Sequence, residues 1–316
     1  MHDWVPFWPR TASVTGVAVN SLFVAELCVC LLIVATVAGL VLTFAVRYRR
    51  GSAASRAHPV DKTWHWEIGW TVGSLVAFLA LFVWGAAIYT WLFQSPRGDI
   101  ELYVVGKQWM WKIQHPGGQR EIDTVHVPVG KTIRLVLASE DVIHSFFVPA
   151  FRIKHDVVPG TLETIWFTAT KTGAYPLECT QLCGVQHATM VGTVVVMEPS
   201  AYAQWLTEQG VQQSLAQQGA ALFRTYGCSG CHDSANSTVH APSLVGLYGS
   251  LVHLQDGSVR RADEQYIEDC ILEPRSFTVA GYAPLMPSFA GQIGADDLMK
   301  LIVYIKSLGG EEGAAR

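Results

Sequence analysis

Charge is scarce in this chain. Asp, Glu, Lys and Arg make up 15% of its 316 residues, while half are hydrophobic. That balance is too apolar for an ordinary soluble protein and points to a membrane part. Residues 27–46 and 68–93 contain no charged side chain at all, and each run is long enough to cross a bilayer as a helix. A pair of buried core helices would need a partner core, and none is visible nearby. The segment before residue 22 lacks the basic-then-apolar layout of a secretory leader, and the first apolar run is too long for a leader core, so no cleaved signal peptide is expected. A disulfide framework is also missing. Of seven cysteines, four fall in two ligand-type boxes, Cys28 and Cys30 sit in the first apolar run, and Cys270 stands alone. No internal repeat or long disordered segment is present.

What charge there is has a pattern. Arg47, Arg49, Arg50, Arg56 and Lys62 lie between the apolar runs, against Asp61 and Glu67, which makes this short loop cytoplasmic by the positive-inside rule. The tail at 1–21 and everything beyond the hairpin at 22–94 then face outward. Residues 1–98 carry net +3, residues 99–213 net −3 and residues 214–316 net −4. An acidic exterior would attract a basic protein partner, serves solubility equally well, and gives no support for nucleic-acid binding.

Texture changes after the hairpin. Gln94-Ser-Pro-Arg-Gly-Asp99 is a hinge. Glu101-Leu-Tyr-Val-Val, Ile133-Arg-Leu-Val-Leu, Thr164-Ile-Trp-Phe-Thr and Val191-Gly-Thr-Val-Val-Val-Met are strand-like, with turn punctuation at Pro116-Gly117-Gly118, Val129-Gly130 and Thr172-Gly173. Several short strands at this spacing predict a Greek-key sandwich or barrel over 95–199. A linker helix is expected over 200–213, with Ser200 as its cap and Gly210 interrupting it. A second helical stretch over 214–226 leads into a domain extending to 310. Its last helix, over 296–308, carries Leu298, Leu301, Ile302, Ile305 and Leu308 on one face and ends at Gly309-Gly310, before a tail at 311–316.

Two ligand sets carry the chemistry. Cys228-Ser229-Gly230-Cys231-His232 is a C-x-x-C-H box, which attaches haem through two thioethers and makes His232 an axial iron ligand. A thiol redox motif or a zinc pair are the other readings, but the βαβ context of the former is missing. Met286, in a Pro-rich loop before the last helix, is the candidate sixth ligand. Met299, inside that helix, competes, as do His240 and His253. The second set is Cys179, Cys183, His187 and Met190, in one short stretch, with His144 from another loop. Soft sulfur with imidazole suits copper, and Met190 argues against the alternative Cys₂His₂ zinc site, because a thioether is a poor zinc ligand.

At these residues the chain resembles cytochrome c oxidase subunit II. Ser139-Glu-Asp-Val-Ile-His-Ser-Phe-Phe-Val-Pro149 and Cys179-Thr-Gln-Leu-Cys-Gly-Val-Gln-His-Ala-Thr-Met190 look like its dinuclear copper (Cu(A)) motifs. The two-helix hairpin, Gly106-Lys-Gln-Trp-Met-Trp111 and Asp156-Val-Val-Pro-Gly160 match as well. The resemblance implies a cupredoxin-like Greek-key domain in which Cys179 and Cys183 bridge two coppers, with His144, His187 and Met190 as terminal ligands and the carbonyl of Gln181 completing the set. It further implies that electrons enter at Trp109, beside a Met110 where the family often has Tyr, and that Glu67 is linked to proton uptake into subunit I. The family usually carries Glu where Gln181 stands, and that carboxylate helps hold magnesium at the contact with subunit I. A neutral amide is the weaker ligand for a hard dication, so the case for magnesium weakens while a main-chain copper ligand survives. Glu67 also fits a first-turn acid favoured by the helix dipole, and Glu26 an acid that snorkels or pairs with a partner subunit.

Residues 214–308 are similar to a class I cytochrome c, an all-α domain, in which the carbonyl of a proline, here Pro242, steadies the axial histidine. Together the two resemblances match caa-type oxidases. They imply an electron-input subunit in a bacterial inner membrane, taking electrons from a cytochrome c or a quinol-oxidising complex and passing them through haem c and Cu(A) to subunit I, where dioxygen is reduced and protons are pumped. A copper-bearing subunit of nitric oxide reductase and a stand-alone membrane electron carrier are the rivals. Quinol oxidase subunit II lacks the copper ligands.

Overall fold

The computed structural model of the protein describes residues 10–55, 62–94, 96, 98–209, 213–232 and 241–309. Arg56, Asp61, Gly210, His240, Gly310 and the 311–316 tail lie outside the described residues. The chain divides into two compact units, the hairpin at 14–94 and a second unit formed mainly by residues 95–316.

The hairpin consists of α1 (Val14–Arg47) and α2 (Trp64–Phe93), both long and apolar enough to cross a membrane. Helix α1 starts inside the stretch expected as an outer tail, because Val17, Val19, Leu22 and Phe23 continue its apolar run without a breaker. Hydroxyls within the helices bond back onto the preceding turn, Thr36 onto the Leu32 carbonyl at 2.7 Å and Ser74 onto that of Trp70 at 2.6 Å, which satisfies them where no water is available.

The second unit opens with a β-sandwich: β1 (Ile100–Lys107), β2 (Met110–Gln114), β3 (Arg120–Ile122), β4 (Thr124–Pro128), β5 (Thr132–Ser139), β6 (His144–Val148), β7 (Ile153–Val157), β8 (Glu163–Thr168), β9 (Gly173–Cys179) and β10 (Val191–Met197). The sheets run β3-β2-β1-β5-β8 and β4-β10-β9-β6-β7, so the chain passes between them repeatedly. All four expected strands are present. Six others escaped the sequence, and β9 and β7 show why. Pro176 argues against an internal strand, yet β6 pairs only with Glu178 and Cys179, so no ladder bond is lost on that side. Strand β7 closes an edge, where the exposed Lys154 and Asp156 are usual.

Strands β1 and β5 pair in parallel and are buried on both faces. Leu102, Val104, Ile133, Leu135 and Leu137 point into the sandwich core, whereas Tyr103, Val105, Val136 and Ala138 form a second apolar cluster with Leu215 and Met299. Two buried faces are the reason these strands read as near-continuous apolar runs.

The remaining elements are α3 (Pro199–Glu208), α4 (Leu215–Thr225), the short α5 (Ser229–His232), β11 (Leu251–His253), β12 (Val259–Arg261), α6 (Glu264–Leu272) and α7 (Ala295–Ser307). Helix α3 is capped at Glu198 with Pro199 in the first turn, so Ser200 lies inside the helix and is not its cap; the fixed φ of proline favours that start. Helix α4 begins at a capping box between Ser214 and Gln217. The β11–β12 hairpin departs from a purely helical domain. Helices α4 and α7 cross at Gly219, where a Cβ would stand 2.0 Å from the Lys300 carbonyl oxygen.

An ion network rims the apolar face shared with the sandwich. Lys306 Nζ lies 2.7 Å from Glu101 and 2.8 Å from Glu264, Arg134 bonds both acids, and the Tyr248 hydroxyl donates to Glu264 at 2.6 Å. Burial works against the Glu264 carboxylate, but Lys306 and Arg134 outweigh it and bring the acid down to about 2. A group held below its unfolded value of 4.5 contributes stability that is complete above that pH and is lost as pH falls toward about 2. Glu264→Gln should therefore flatten the acid limb of a thermal melting series, and Gly219→Ala should lower the melting temperature at every pH by overpacking worth about 1–3 kcal/mol.

Candidate functional site

The sulfur ligands are gathered by strand ends and not by loops alone. Cys179 is the last residue of β9 and His144 the first of β6, adjacent strands whose ladder pairs Phe146 with Cys179. The segment from Cys179 to Val191 is tied at its base, since the Cys179 amide donates to the Met190 carbonyl at 3.2 Å. Within it, Gly184 takes φ +119° and a short 3-10 turn spans His187–Thr189.

These constraints bring all five predicted side chains together. Cys179 Sγ and Cys183 Sγ are 3.7 Å apart, and His144 Nδ1 is 4.0 Å from Cys179 Sγ. His187 Nδ1 and Met190 Sδ stand 3.4 Å and 3.8 Å from Cys183 Sγ, and the Gln181 carbonyl oxygen is 3.4 Å from Cys179 Sγ. His144, Cys179, Cys183 and Met190 are buried, whereas Gln181 is exposed.

Several supporting groups carried no assignment from the sequence. Asp141 holds His144 Nε2 at 2.8 Å, leaving Nδ1 turned to the sulfurs, and its position three residues before the histidine is the signal that could have found it. Trp111 sets its edge against the His144 ring at 5.9 Å. A Cβ on Gly106 would come within 3.0 Å of the same ring, so only glycine leaves room there. Gln108 Nε2 and Trp109 Nε1 both donate to the Cys183 carbonyl, at 2.8 and 3.2 Å. Trp109 therefore touches the backbone of a sulfur ligand.

The thiols are electrostatically unequal. Burial opposes ionisation of Cys179, but hydrogen bonds from His144 and from the backbone at Gln181 and Ser145 bring it down to about 6. Burial and the neighbouring Cys179 push Cys183 up to about 11. Two adjacent thiolates are thus disfavoured unless a cation lies among them, and a donor set of two thiolates, two imidazoles and a thioether suits a soft metal.

The C-x-x-C-H residues line a separate cavity of about 320 Å³ in the C-terminal part. Cys228, Cys231, His232, Pro242 and Met286 are all among its lining residues. His232 Nδ1 lies 2.9 Å from the Pro242 carbonyl oxygen. Apart from these groups the walls are mostly apolar, with Leu244, Ile267, Ile271, Leu301 and Ile305 among them. Met299 is buried in the cluster against β1 and β5, and His253 is exposed on β11; neither lines the cavity. Glu67 is exposed in the first turn of α2, where the Thr63 hydroxyl donates to it at 2.5 Å.

Two helices apolar enough to cross a membrane stand before a cupredoxin-like domain whose buried donor set of two thiols, two imidazoles and a thioether is of the kind electron-transfer copper sites use. Residues 118–198 match the family described as cytochrome c oxidase subunit II, periplasmic domain. Cytochrome c oxidase subunit 2 of Alkalihalophilus pseudofirmus is 29% identical over 254 residues, covering 77% of this chain and 72% of the relative. That of Thermostichus vulcanus is 41% identical over 112 residues, covering 35% and 34%. The crystal structure of the periplasmic domain of subunit II of cytochrome oxidase of Bradyrhizobium japonicum is 34% identical and covers 36% of this chain and 95% of that one, with a TM-score of 0.35. The chain is a homologue of cytochrome c oxidase subunit II, and so of a component of an oxidoreductase complex.

Asp141→Ala should release His144 and lower metal affinity at the sulfur cluster by roughly 10–100-fold, measured by chelator competition on the purified protein.

Proposed function

We propose that this chain is the electron-input subunit of a proton-pumping, caa-type cytochrome c oxidase, bearing a covalent haem c and a dinuclear Cu(A) centre. It sits in a bacterial inner membrane, with its N-terminus and both ligand-bearing domains on the outer side. The observation that carries the haem assignment is the convergence of Cys228, Cys231, His232 and Met286 on one apolar-walled cavity. When bound, haem and copper supply one-electron carriers between a donor, either a cytochrome c or a quinol-oxidising complex, and subunit I.

The residues have separable tasks. The Cys228 and Cys231 sulfurs would hold the haem through thioether links. His232 donates through Nδ1 to the Pro242 carbonyl, which fixes the ring and leaves Nε2 as its ligand nitrogen. Met286 offers a neutral thioether, and His/Met ligation favours a high haem potential. Cys179, Cys183, His144, His187, Met190 and the Gln181 carbonyl would hold the copper. Trp109 offers a route for electrons to the Cys183 backbone, and Glu67 stands at the cytoplasmic end of α2 for proton uptake. Nothing at Gln181 supplies the carboxylate that would favour magnesium.

Purification of the complex, with metal analysis and optical spectra, tests this reading. The expected result is a haem–copper subunit I, copper at the sulfur cluster and a His/Met haem c spectrum that Met286→Ala abolishes. Unchanged spectra in that variant would move the sixth ligand elsewhere. A partner that reduces nitric oxide would replace the oxidase assignment, and a chain isolated without any such partner would remove it.

A further inference from the structure

Helix α6 carries one buried acid that is satisfied and one that is not. Tyr266, Ile267, Cys270 and Ile271 turn toward the C-x-x-C-H cavity and line it. By helical spacing Gln265 and Glu268 fall outside that face, and Glu268 is not among the lining residues. It is nonetheless only 4% exposed, and its Oε2 is buried with no hydrogen-bond partner among the described residues. The charged and titratable groups that meet α6 from other elements are Arg134 of β5, Lys306 of α7 and the Tyr248 hydroxyl, and all three bond Glu264, one turn earlier. Glu101 of β1 joins them there through Arg134 and Lys306. Glu268 is left with burial and, after it, the like charge of Asp269, which together push its carboxyl up to about 7.

We propose that Glu268 couples a proton to the electron carried in this cavity: its carboxyl is protonated while the haem is reduced and gives the proton up when the haem is oxidised. One electron leaves the haem iron for the copper pair as one proton leaves Glu268 for solvent, beside the half-buried Asp269. The next electron from the donor is matched by a proton returning from solvent. Oxidation adds one positive charge across the width of α6, and a helix with its side chains is about 10–12 Å across. The cavity walls between are mostly apolar and screen little. At that separation and an effective dielectric constant of about 20, the added charge favours the carboxylate about tenfold. A carboxylate in turn stabilises the oxidised haem, so the midpoint potential falls as pH rises. The inference rests on the haem reading of the cavity.

Redox potentiometry of haem c in the purified complex, from about pH 5 to about pH 9, reads the coupling directly. The potential should fall by about 59 mV in total, the one-electron equivalent of a tenfold change in proton affinity. Glu268→Gln, which is nearly isosteric with the protonated acid, should hold the potential near the acid-end value of the unmodified protein throughout. An acid that served packing alone would leave the pH profile unmoved by this change. A potential independent of pH in the unmodified complex, or an unaltered pH dependence in Glu268→Gln, would overturn the proposal. Should the variant lose its His/Met spectrum, redox-difference infrared spectra of the unmodified complex decide: a protonated-carboxyl band must disappear on oxidation near neutral pH, and its absence would overturn the proposal equally. A purified chain without covalent haem would remove the haem reading itself, whereas a haem whose potential ignores pH would remove the proton coupling alone.

Discussion

The parallel pairing of β1 with β5 organises the whole second unit. One face of this pair closes the sandwich core with Leu102, Val104, Leu135 and Leu137, and the other presents Tyr103, Val105, Val136 and Ala138 to α4 and α7. The strand ends then set the chemistry. Strand β5 runs directly into Glu140 and Asp141, which hold Lys112 and His144, and β1 carries Gly106 one residue before its end, the position that leaves room for the His144 ring. The sandwich core beside the sulfur–imidazole cluster and the docking of the C-terminal part thus share one strand pair, whose side chains alternate between its two faces.

Buried polarity follows the same economy. Isolated charges inside a protein are costly, and the shared face handles them by mutual neutralisation: Glu101 and Glu264 against Arg134 and Lys306. At the sulfur cluster the second thiol, Cys183, faces Cys179, His187 and Met190. Burial and the neighbouring Cys179 push the Cys183 thiol up, so a second thiolate there is disfavoured without a cation beside it.

Much of this was legible in the residues. The uncharged runs appear as α1 and α2, the apolar segments starting at Glu101, Ile133, Thr164 and Val191 are strands, and the sulfur and histidine ligands named from their spacing converge within 4 Å of a neighbour. What escaped did so for identifiable reasons. His144 and Cys179 read as loop residues because β6 opens on His-Ser and β9 carries Pro176, and both strands are defined by long-range pairing that no local pattern reports. Asp141, Gln108 and Gly106 act through contacts across the fold. Glu264 and Lys306 look like ordinary surface charges on amphipathic helices until the tertiary face that joins them exists. The helix expected from Ser200 began earlier because the fixed φ of Pro199 outweighed the side-chain preference of serine.

The apolar outer face of β1 and β5 has a consequence for how such a chain could change over generations. Residues that cover Tyr103, Val105, Val136 and Ala138 come from α4 and α7, far along the sequence. A shortened gene ending after α3 would lay that stripe bare to water, beside Arg134 and Glu101, which would keep each other but lose Glu264 and Lys306. Loss of the C-terminal part is therefore not a neutral step: polar replacements on two central strands would have to come first, and those strands also border the sulfur–imidazole cluster. Once joined, the two parts are held together by inheritance as firmly as by contact.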